Sequence, residues 1–173
     1  MIVEFNGKRP QIDDSSFVAP NSTIIGDILV SENTLILYGA ICRADFNHIF
    51  IGPGSCVQEN VVLNPMPDEP IIIEGESIIG YGSIIHGGKI EQSSFIGAGT
   101  IILHGVVIGT ESIIAAGSMI TAGTKVPPRS LVVGIPAKVV RKLEDSDVAW
   151  IKKGVNGYQK LLPEYKKIHI EHK

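Results

Sequence analysis

The chain has 173 residues, 44 % of them hydrophobic, and a formal net charge of -3 at pH 7, a composition that excludes intrinsic disorder. It holds 28 isoleucines and 15 valines against 9 leucines and 9 alanines, which favours strands over a helical bundle. No uninterrupted apolar run approaches the ~20 residues of a membrane-spanning helix, so we expect no membrane partner.

Residues 1–10 have no apolar segment behind a basic start, which predicts a cytoplasmic protein without a signal peptide. The two cysteines, Cys42 and Cys56, lie among apolar neighbours. Two thiols are too few for a disulfide framework or a zinc–thiolate cluster. We therefore expect both to be buried and free.

A six-residue repeat covers most of the chain. Every sixth residue from Ile78 to Val132 is Ile or Val, and an earlier run in the same step extends from Val18 to Cys42. The step continues between the runs if two residues are inserted near Asp45 and four near residues 65–68. Neither an α-helix nor an ordinary strand has this period. It predicts a β-solenoid with three six-residue sides per turn, each side stacking an inward aliphatic residue on the turn below.

Residues 1–140 are predicted to form this all-β solenoid domain. Residues 141–173 break the repeat and are predicted to form a helical extension that packs on the solenoid. Glu144 to Asp147 offer a helix N-cap, and Pro163 is expected to interrupt the helix. A short second helix would then run through Tyr165 and Ile168.

Charge is unevenly distributed between the two parts of the chain. Residues 1–137 contain 6 basic and 13 acidic residues, whereas residues 138–173 contain 9 basic and 5 acidic ones. Because acidic residues interleave with the basic ones in the tail, we expect no nucleic-acid partner. The pattern indicates a basic helix lying along an acidic body.

Three polar residues are predicted to form a column on one face of the solenoid. With eighteen residues per turn, His86 and His104 stack, and Asn64 joins them once the four inserted residues are subtracted. Tyr81 lies one side earlier on the turn that carries His86. Two imidazoles on adjacent turns could chelate a divalent metal; the alternative is a chance alignment of outward polar side chains.

A second polar constellation lies on the early turns. Arg43 and Asp45 share one face of a strand and precede the segment at residues 58–60. We expect Arg43 and Asp45 to form an ion pair, which is either a structural salt bridge at a subunit contact or part of a functional site. Asp68 and Glu69, in the proline-rich loop that follows, are expected to face solvent.

A set of motifs runs along nearly the whole chain: Gly7-Lys8-x-Pro10, Gly26-Asp27, Arg43-x-Asp45, Gln58-Glu59-Asn60, Gly80 to Gly87, Gly134-x-Pro136-Ala137-Lys138-Val139-Val140-Arg141, and Tyr158 and Tyr165. Together they resemble the γ-class carbonic anhydrase-like hexapeptide-repeat family, which includes the phenylacetate-operon and carnitine-operon proteins. The resemblance implies a left-handed parallel β-helix, a homotrimer, and metal sites between neighbouring subunits.

The resemblance also identifies candidate site residues. In that family three histidines bind zinc or a similar divalent metal, two from one subunit and one from its neighbour. Asn64 and Tyr81 stand at the first two of these positions and His86 at the third, while a shifted site would use His86, His104 and a neighbour's Tyr81. The resemblance further implies catalytic roles for Arg43, Asp45, Gln58, Glu59 and Tyr158.

Three functions follow as hypotheses. A catalytic zinc needs three protein ligands and an open position, so the first is a trimeric γ-carbonic anhydrase-like protein in which zinc-dependent hydration of CO2 to bicarbonate is lost or altered. The second is an acyltransferase or other acyl-CoA enzyme with His86 or His104 as general base. The third is a non-catalytic trimeric scaffold.

Overall fold

The six-residue repeat folds the chain into a parallel β-solenoid of about seven turns, followed by one helix. This computed structural model describes residues 1–168. The predicted fold class is thereby confirmed. In chain order the elements are β1 (Ile2–Val3), β2 (Gln11–Ile12), β3 (Phe17–Val18), β4 (Thr23–Val30), β5 (Leu35–Ile36), β6 (Ile41–Ile51), β7 (Cys56–Val57), β8 (Val62–Leu63), β9 (Ile71–Ile73), β10 (Ile78–Ile79), β11 (Ile84–Ile85), β12 (Gly88–Ile90), β13 (Phe95–Ile96), β14 (Ile101–Ile102), β15 (Val107–Ile108), β16 (Ile113–Ile114), β17 (Met119–Ile120), β18 (Lys125–Val126), β19 (Ser130–Gly134), β20 (Ala137–Lys142) and α1 (Asp145–Tyr165).

The strands stack into three sides. The helix side consists of β3, β5, β7, β10, β13, β16 and β19 in that spatial order. The histidine side consists of the first parts of β4 and β6 with β8, β11, β14 and β17, and the third side of their second parts with β9, β12, β15 and β18. Because β4 and β6 run unbroken round one corner, these two sides form a single sheet, which has 12 strands when β1 and β2, both paired with β4, are included.

Most strands are two-residue pairs that point one side chain outward and the next one inward. On the helix side Ile78 faces the helix and Ile79 lies in the central core. On the histidine side Ile84 is exposed and Ile85 is buried. The central core is therefore a stack of inward β-branched side chains with one contribution from each side of each turn.

Between residues 50 and 84 the inward residue of each pair is one place later than the six-residue step predicts. The insertion near Asp45 has three residues rather than two, since Val30 pairs with Ile51. A compensating shortening by one residue lies between Ile85 and Ile90, which are both inward. Because the pairs in this region are apolar at both positions, the sequence pattern could not show which member faces the core.

All three changes of length occur at the same corner, between the histidine side and the third side. This loop corner comprises residues 45–48, 64–70 and 86–88 on three successive turns. The shortening there needs glycine, because Gly87 and Gly88 have φ of +118° and +101°, which other residues rarely adopt. A Cβ on Gly88 would also lie 2.3 Å from the carbonyl oxygen of Val106. The other two corners keep the six-residue step throughout.

Helix α1 covers the outer face of the helix side. It begins after Glu144, whose backbone N–H donates to Asp147 Oδ2 at 2.8 Å, as the predicted N-cap requires. The buried helical residues pack on the outward residues of the helix-side strands. Together they form a second hydrophobic cluster, separate from the central core. Its helical members are Ile151, Val155, Leu162, Tyr158 and Tyr165, and its strand members include Phe17, Leu35, Cys56, Ile78, Phe95, Ile113 and Leu131.

The predicted break at Pro163 is wrong, because α1 continues to Tyr165 as one helix. Pro163 lies in the last turn, where the missing N–H costs a single hydrogen bond. Tyr165 is also held by packing, with its ring centroid 5.1 Å from that of Phe17. The second helix expected through Ile168 is therefore absent up to that residue, and residues 169–173 lie outside the described part of the chain.

Strand β20 separates the solenoid from α1. It pairs antiparallel with β19, with Val132 opposite Val139, and so covers the edge of the helix-side sheet. Residue 140 lies within this strand, and the division into domains 1–140 and 141–173 stays a prediction. Within residues 1–168, no helix is both long enough and apolar enough to cross a membrane.

Candidate functional site

Arg43, Asn64 and His86 lie above one another on successive turns of the histidine side. Each follows an inward residue, and these inward residues pair in register, Cys42 with Leu63 and Leu63 with Ile85. Since successive residues of a strand face opposite ways, the three polar side chains point out of the same face. The predicted stacking of Asn64 and His86 is what the strand register gives.

His104 does not belong to this column. Ile85 pairs with Ile102, so the residue above His86 is Leu103, and His104 is one place further along the turn. The reason is the shortening at the loop corner, which makes this turn seventeen residues long instead of eighteen. The predicted three-residue column is therefore wrong at its last member, and His104 is an exposed residue on the turn that follows the loop corner.

Hydrogen bonds connect the three stacked residues. Arg43 Nη2 donates to Asn64 Oδ1 at 3.0 Å, and Asn64 Nδ2 donates to the carbonyl oxygen of Arg43 at 3.1 Å. Arg43 also forms an ion pair with Asp45 through Nη1, as their spacing on the strand predicts. Both ends of the Asn64 amide are thus engaged by Arg43.

The ring of His86 is oriented by the same column. Its Nδ1 lies 3.1 Å from the backbone carbonyl oxygen of Asn64. Because a carbonyl oxygen can only accept, Nδ1 carries the proton in the neutral ring, and Nε2 has the free lone pair. His86 is half-buried, and in this tautomer its Nε2 is the ring nitrogen that is free to accept a proton.

Gln58, Tyr81 and Tyr158 form a second polar group, at the corner between the helix side and the histidine side. Gln58 is only 4 % exposed; its Oε1 accepts the backbone N–H of Tyr81 at 3.1 Å, and its Nε2 donates to the Tyr158 hydroxyl. Burial, followed by the neighbouring Tyr81 hydroxyl, raises the pKa of Tyr158. Tyr158 therefore stays protonated at neutral pH.

Glu59 lies beside this second group but is not hydrogen-bonded to it. Its Oε2 is buried and has no hydrogen-bond partner among residues 1–168. The carboxylate contributes, after burial, to the raised pKa values of Cys56 and Tyr158. Within one chain, the hydrogen bonds between described residues do not connect Glu59, Gln58 or Tyr158 to Arg43 and Asp45, so the residues implied as catalytic fall into two groups.

Two further sequence expectations have clear outcomes. Cys42 and Cys56 are both buried and free, as predicted, and burial raises the pKa of the Cys42 thiol to about 12. Glu69 does not simply face solvent, because its Oε2 accepts the backbone N–H of Gly105 at 2.5 Å. Asp68 is exposed.

The residues at the resembled metal positions do not fit a zinc ion. Asn64 Oδ1 is the atom that would bind a metal at the first position, but it already accepts a hydrogen bond from the guanidinium of Arg43. The positive charge of that guanidinium opposes a divalent cation at the same place. Tyr81 would have to ionise before it could act as a strong ligand. Within a single chain, no group of three or more His, Cys, Asp or Glu side chains among the described residues is placed to hold a metal.

Comparison with known proteins assigns the chain to a family. The model of bacterial transferase hexapeptides (six repeats) matches residues 87–122. The chain is 41 % identical to a carbonic anhydrase of Geobacillus kaustophilus over 86 % of its own length and 81 % of that protein. It is 32 % identical to mitochondrial gamma carbonic anhydrase 1 of Arabidopsis thaliana, spanning 89 % of this chain and 58 % of that protein.

The chain belongs to the γ-class carbonic anhydrase-like family of hexapeptide-repeat proteins. A solved structure with a different description is also similar over almost its whole length. It is a putative acetyltransferase of Bacillus cereus, 35 % identical, with a TM-score of 0.96 and 98 % of each chain covered. Within one fold the relatives therefore carry names of both enzyme classes.

Proposed function

We propose that this chain is a homotrimeric member of the family that binds a small molecule at the Arg43–Asn64–His86 column without a catalytic zinc. The observation that carries the proposal is the hydrogen bond from Arg43 to Asn64 Oδ1. It places a permanent positive charge against the donor atom that stands at the first metal-ligand position. Zinc-dependent hydration of CO2 is accordingly not the activity of this site.

The chemistry of the remaining donors supports this reading. A catalytic zinc is held by three protein ligands and lowers the pKa of its bound water to roughly 7. Here one imidazole, His86, is available from the three positions. The amide of Asn64 is a weak neutral ligand and is already engaged by Arg43, and the phenol of Tyr81 would have to ionise before it could act as a strong ligand.

The outward apolar row of the histidine side supports the trimer. Ile41 and Ile84 are 41 % and 44 % exposed, and Val62, Ile101 and Met119 continue the same row as half-buried residues. Burying such a row is favourable by roughly 25 cal/mol per Å². In the family's arrangement the neighbouring subunit would bring its own Tyr81 to the Arg43–Asn64–His86 column.

Restoring the family's ligands tests the proposal. The double variant Asn64→His with Tyr81→His should acquire about one zinc per chain by elemental analysis, whereas the unaltered protein should contain far less than stoichiometric zinc. Adding His86→Ala to the double variant should remove the metal again and is the matched control. Stoichiometric zinc in the unaltered protein, together with fast CO2 hydration in a stopped-flow assay, would overturn the proposal.

An acyltransferase is the second candidate, and the orientation of His86 favours it. With Nδ1–H donating to the Asn64 carbonyl, Nε2 could take the proton from a hydroxyl or amine as that group attacks the thioester carbonyl of an acyl-CoA. The carbon–sulfur bond then breaks, and the thiolate of coenzyme A leaves. Positioned general bases contribute about 10²- to 10⁴-fold to rate.

The acyltransferase candidate requires binding of acyl-CoA. Acetyl-CoA should raise the melting temperature of the purified protein, and His86→Ala should lower any transfer rate by at least about 100-fold. His104→Ala, an exposed histidine outside the column, is the control and should leave the rate unchanged. No thermal shift and no transfer over a panel of hydroxyl and amine acceptors would remove this candidate.

A further inference from the structure

A pocket of about 360 Å³ lies between α1 and the corner that joins the helix side to the histidine side. Its walls are formed by Trp150 and Ile151 of the helix and by Ile78, Phe95 and Ala98 of the solenoid. This volume is within the range of about 300–1,000 Å³ found for small-molecule sites. Gln58, Tyr81 and Tyr158, which the family resemblance implicates in the site, also line this pocket. Neither the resemblance nor the column at His86 assigns a ligand to the apolar part of the pocket.

The aromatic side chains in the wall favour a flat, apolar ligand. Trp150 packs edge-on against Phe95, with ring centroids 4.8 Å apart and an interplanar angle of 71°. Even so, Trp150 is 54 % exposed, so a ring inserted beside it would remove further apolar surface from water. Aromatic pairs in such arrangements gain stability beyond the area that they bury.

The lining of the pocket also disfavours charged ligands. None of the described residues that line it is Asp, Glu, Lys, Arg or His. Burial of an unpaired ionised group against such surroundings is unfavourable. An uncharged occupant is therefore favoured.

Two hydroxyl groups at the rim, those of Tyr81 and Tyr158, give the pocket one directional contact. Each carries one proton, and the Tyr158 oxygen already accepts a hydrogen bond from Gln58 Nε2. If one hydroxyl donates to the other, the second proton is still left to donate outward. The raised pKa of Tyr158 keeps its proton in place at neutral pH. The rim thus offers a hydrogen-bond donor to a neutral acceptor such as a carbonyl oxygen.

We infer that this pocket binds a neutral, flat ring compound carrying a single hydrogen-bond acceptor, with the ring against Trp150 and Phe95 and the acceptor at the Tyr81–Tyr158 rim. The inference goes beyond the proposed function, because it does not depend on His86 or on the presence or absence of a metal. Failure of this inference can be distinguished from failure of the proposed function, since the inference is tested by binding of small aromatic probes and the proposed function by metal content.

Three probes of similar size separate the features of the pocket: acetophenone, toluene and benzoate. Trp150 is the single tryptophan of the chain, so its indole N–H gives one cross-peak in a ¹H–¹⁵N spectrum of the ¹⁵N-labelled protein. Titration should move this peak most strongly with acetophenone. We expect acetophenone to bind about tenfold more tightly than benzoate, whose charge the pocket cannot solvate, and toluene to lie between them.

Variants assign the binding to the pocket. Ala98→Leu should fill it and abolish the shift with every probe, whereas Ala122→Leu, an exposed alanine outside the pocket, should not. The double variant Tyr81→Phe with Tyr158→Phe keeps the shape but removes both donors. It should weaken acetophenone binding by about two- to tenfold and leave toluene unchanged.

Circular dichroism and the melting temperature establish that each variant is folded. The inference is overturned if no probe moves the Trp150 cross-peak up to its solubility limit, if benzoate binds as tightly as acetophenone, or if folded Ala98→Leu protein still binds acetophenone. Equal loss of acetophenone and toluene binding in the double tyrosine variant would overturn the assigned donor.

Discussion

The helix side and the histidine side are built from the same repeat, yet their outer faces have different fates. Both present a row of outward apolar residues, Phe17 to Leu131 on the first and Ile41 to Met119 on the second. Helix α1 covers the first row, whereas the second leaves Ile41 and Ile84 exposed in the single chain. The inward residues of the solenoid therefore determine its fold, and the outward residues determine which surface is left for a partner or a ligand.

The largest effect is expected where the helix is anchored. Ile151, on the inner face of α1, is fully buried against the solenoid. Ile151→Ala should lower the free energy of unfolding, measured by chemical denaturation, by about 2–5 kcal/mol. Leu161→Ala, at a residue of the same helix that is 47 % exposed, should change it by less than about 0.5 kcal/mol. Similar losses of unfolding free energy for the two variants would contradict the packing of α1 on the helix side.

The next effect concerns the exposed row of the histidine side. Ile84→Asp places a charge in the proposed subunit contact, so the molar mass by light scattering should fall from about three chains to one chain of 18.6 kDa. Leu161→Asp, on the outside of α1, should leave the trimer intact. A trimer that survives Ile84→Asp at micromolar concentration would place the subunit contact elsewhere.

A smaller effect measures the bond between Arg43 and Asn64. A double-mutant cycle of Arg43→Met and Asn64→Leu should give a coupling energy of about 1 kcal/mol in the free energy of unfolding. A hydrogen bond to a charged group contributes about 1.5–3 kcal/mol, and the partial exposure of the Arg43 side chain reduces that amount. A cycle of Asn64→Leu with the distant Leu161→Ala should give none. Zero coupling between Arg43 and Asn64 would mean that the guanidinium does not hold the amide in solution.

The smallest effect is a pH dependence at the start of α1. Arg141, followed by the backbone N–H of Glu144, lowers the pKa of Asp147 from 3.8 to about 2. Because the pKa is lower in the folded protein than in the unfolded one, this carboxylate stabilises the fold above pH about 4 and ceases to do so as the pH falls towards 2.

Melting temperatures of Asp147→Asn and of the unaltered protein should therefore differ most at pH 6, differ much less at pH about 2, and converge as the pH falls below it. Asp68→Asn, at an exposed loop residue, is the matched control and should follow the unaltered protein throughout. A difference between Asp147→Asn and the unaltered protein that persists unchanged at pH 2 would show that the carboxylate charge is not its cause.

The repeat, the three-sided solenoid and the helical tail could be predicted because each inward position accepts only aliphatic residues over many turns. The phase could not, since pairs such as Ile78-Ile79 and Ile84-Ile85 are apolar at both positions. The error carried into the site: an assumed turn of eighteen residues stacked His104 on His86, where the structure has Leu103. The end of α1 was missed for a different reason, because packing of Tyr165 outweighs the single hydrogen bond lost at Pro163.

The candidate site was predicted in part, on the same physical grounds. The pairing of Arg43 with Asp45 and the stacking of Asn64 on His86 follow from strand spacing. The hydrogen bond between Arg43 and Asn64 does not, because it depends on the rotamers of two side chains on different turns. The pocket at Trp150 depends on how the helix packs across the solenoid, which no local pattern in the sequence encodes.

The loop corner lets the number of residues in a turn change without moving the strands that follow it. Three successive turns gain three residues, gain four and lose one there, and each following strand still pairs in register. A peptide grafted into this corner would therefore be tolerated by the core as the native insertions are. It would also lie next to His86, so this corner is the natural place at which evolution or design could give the scaffold a new recognition loop.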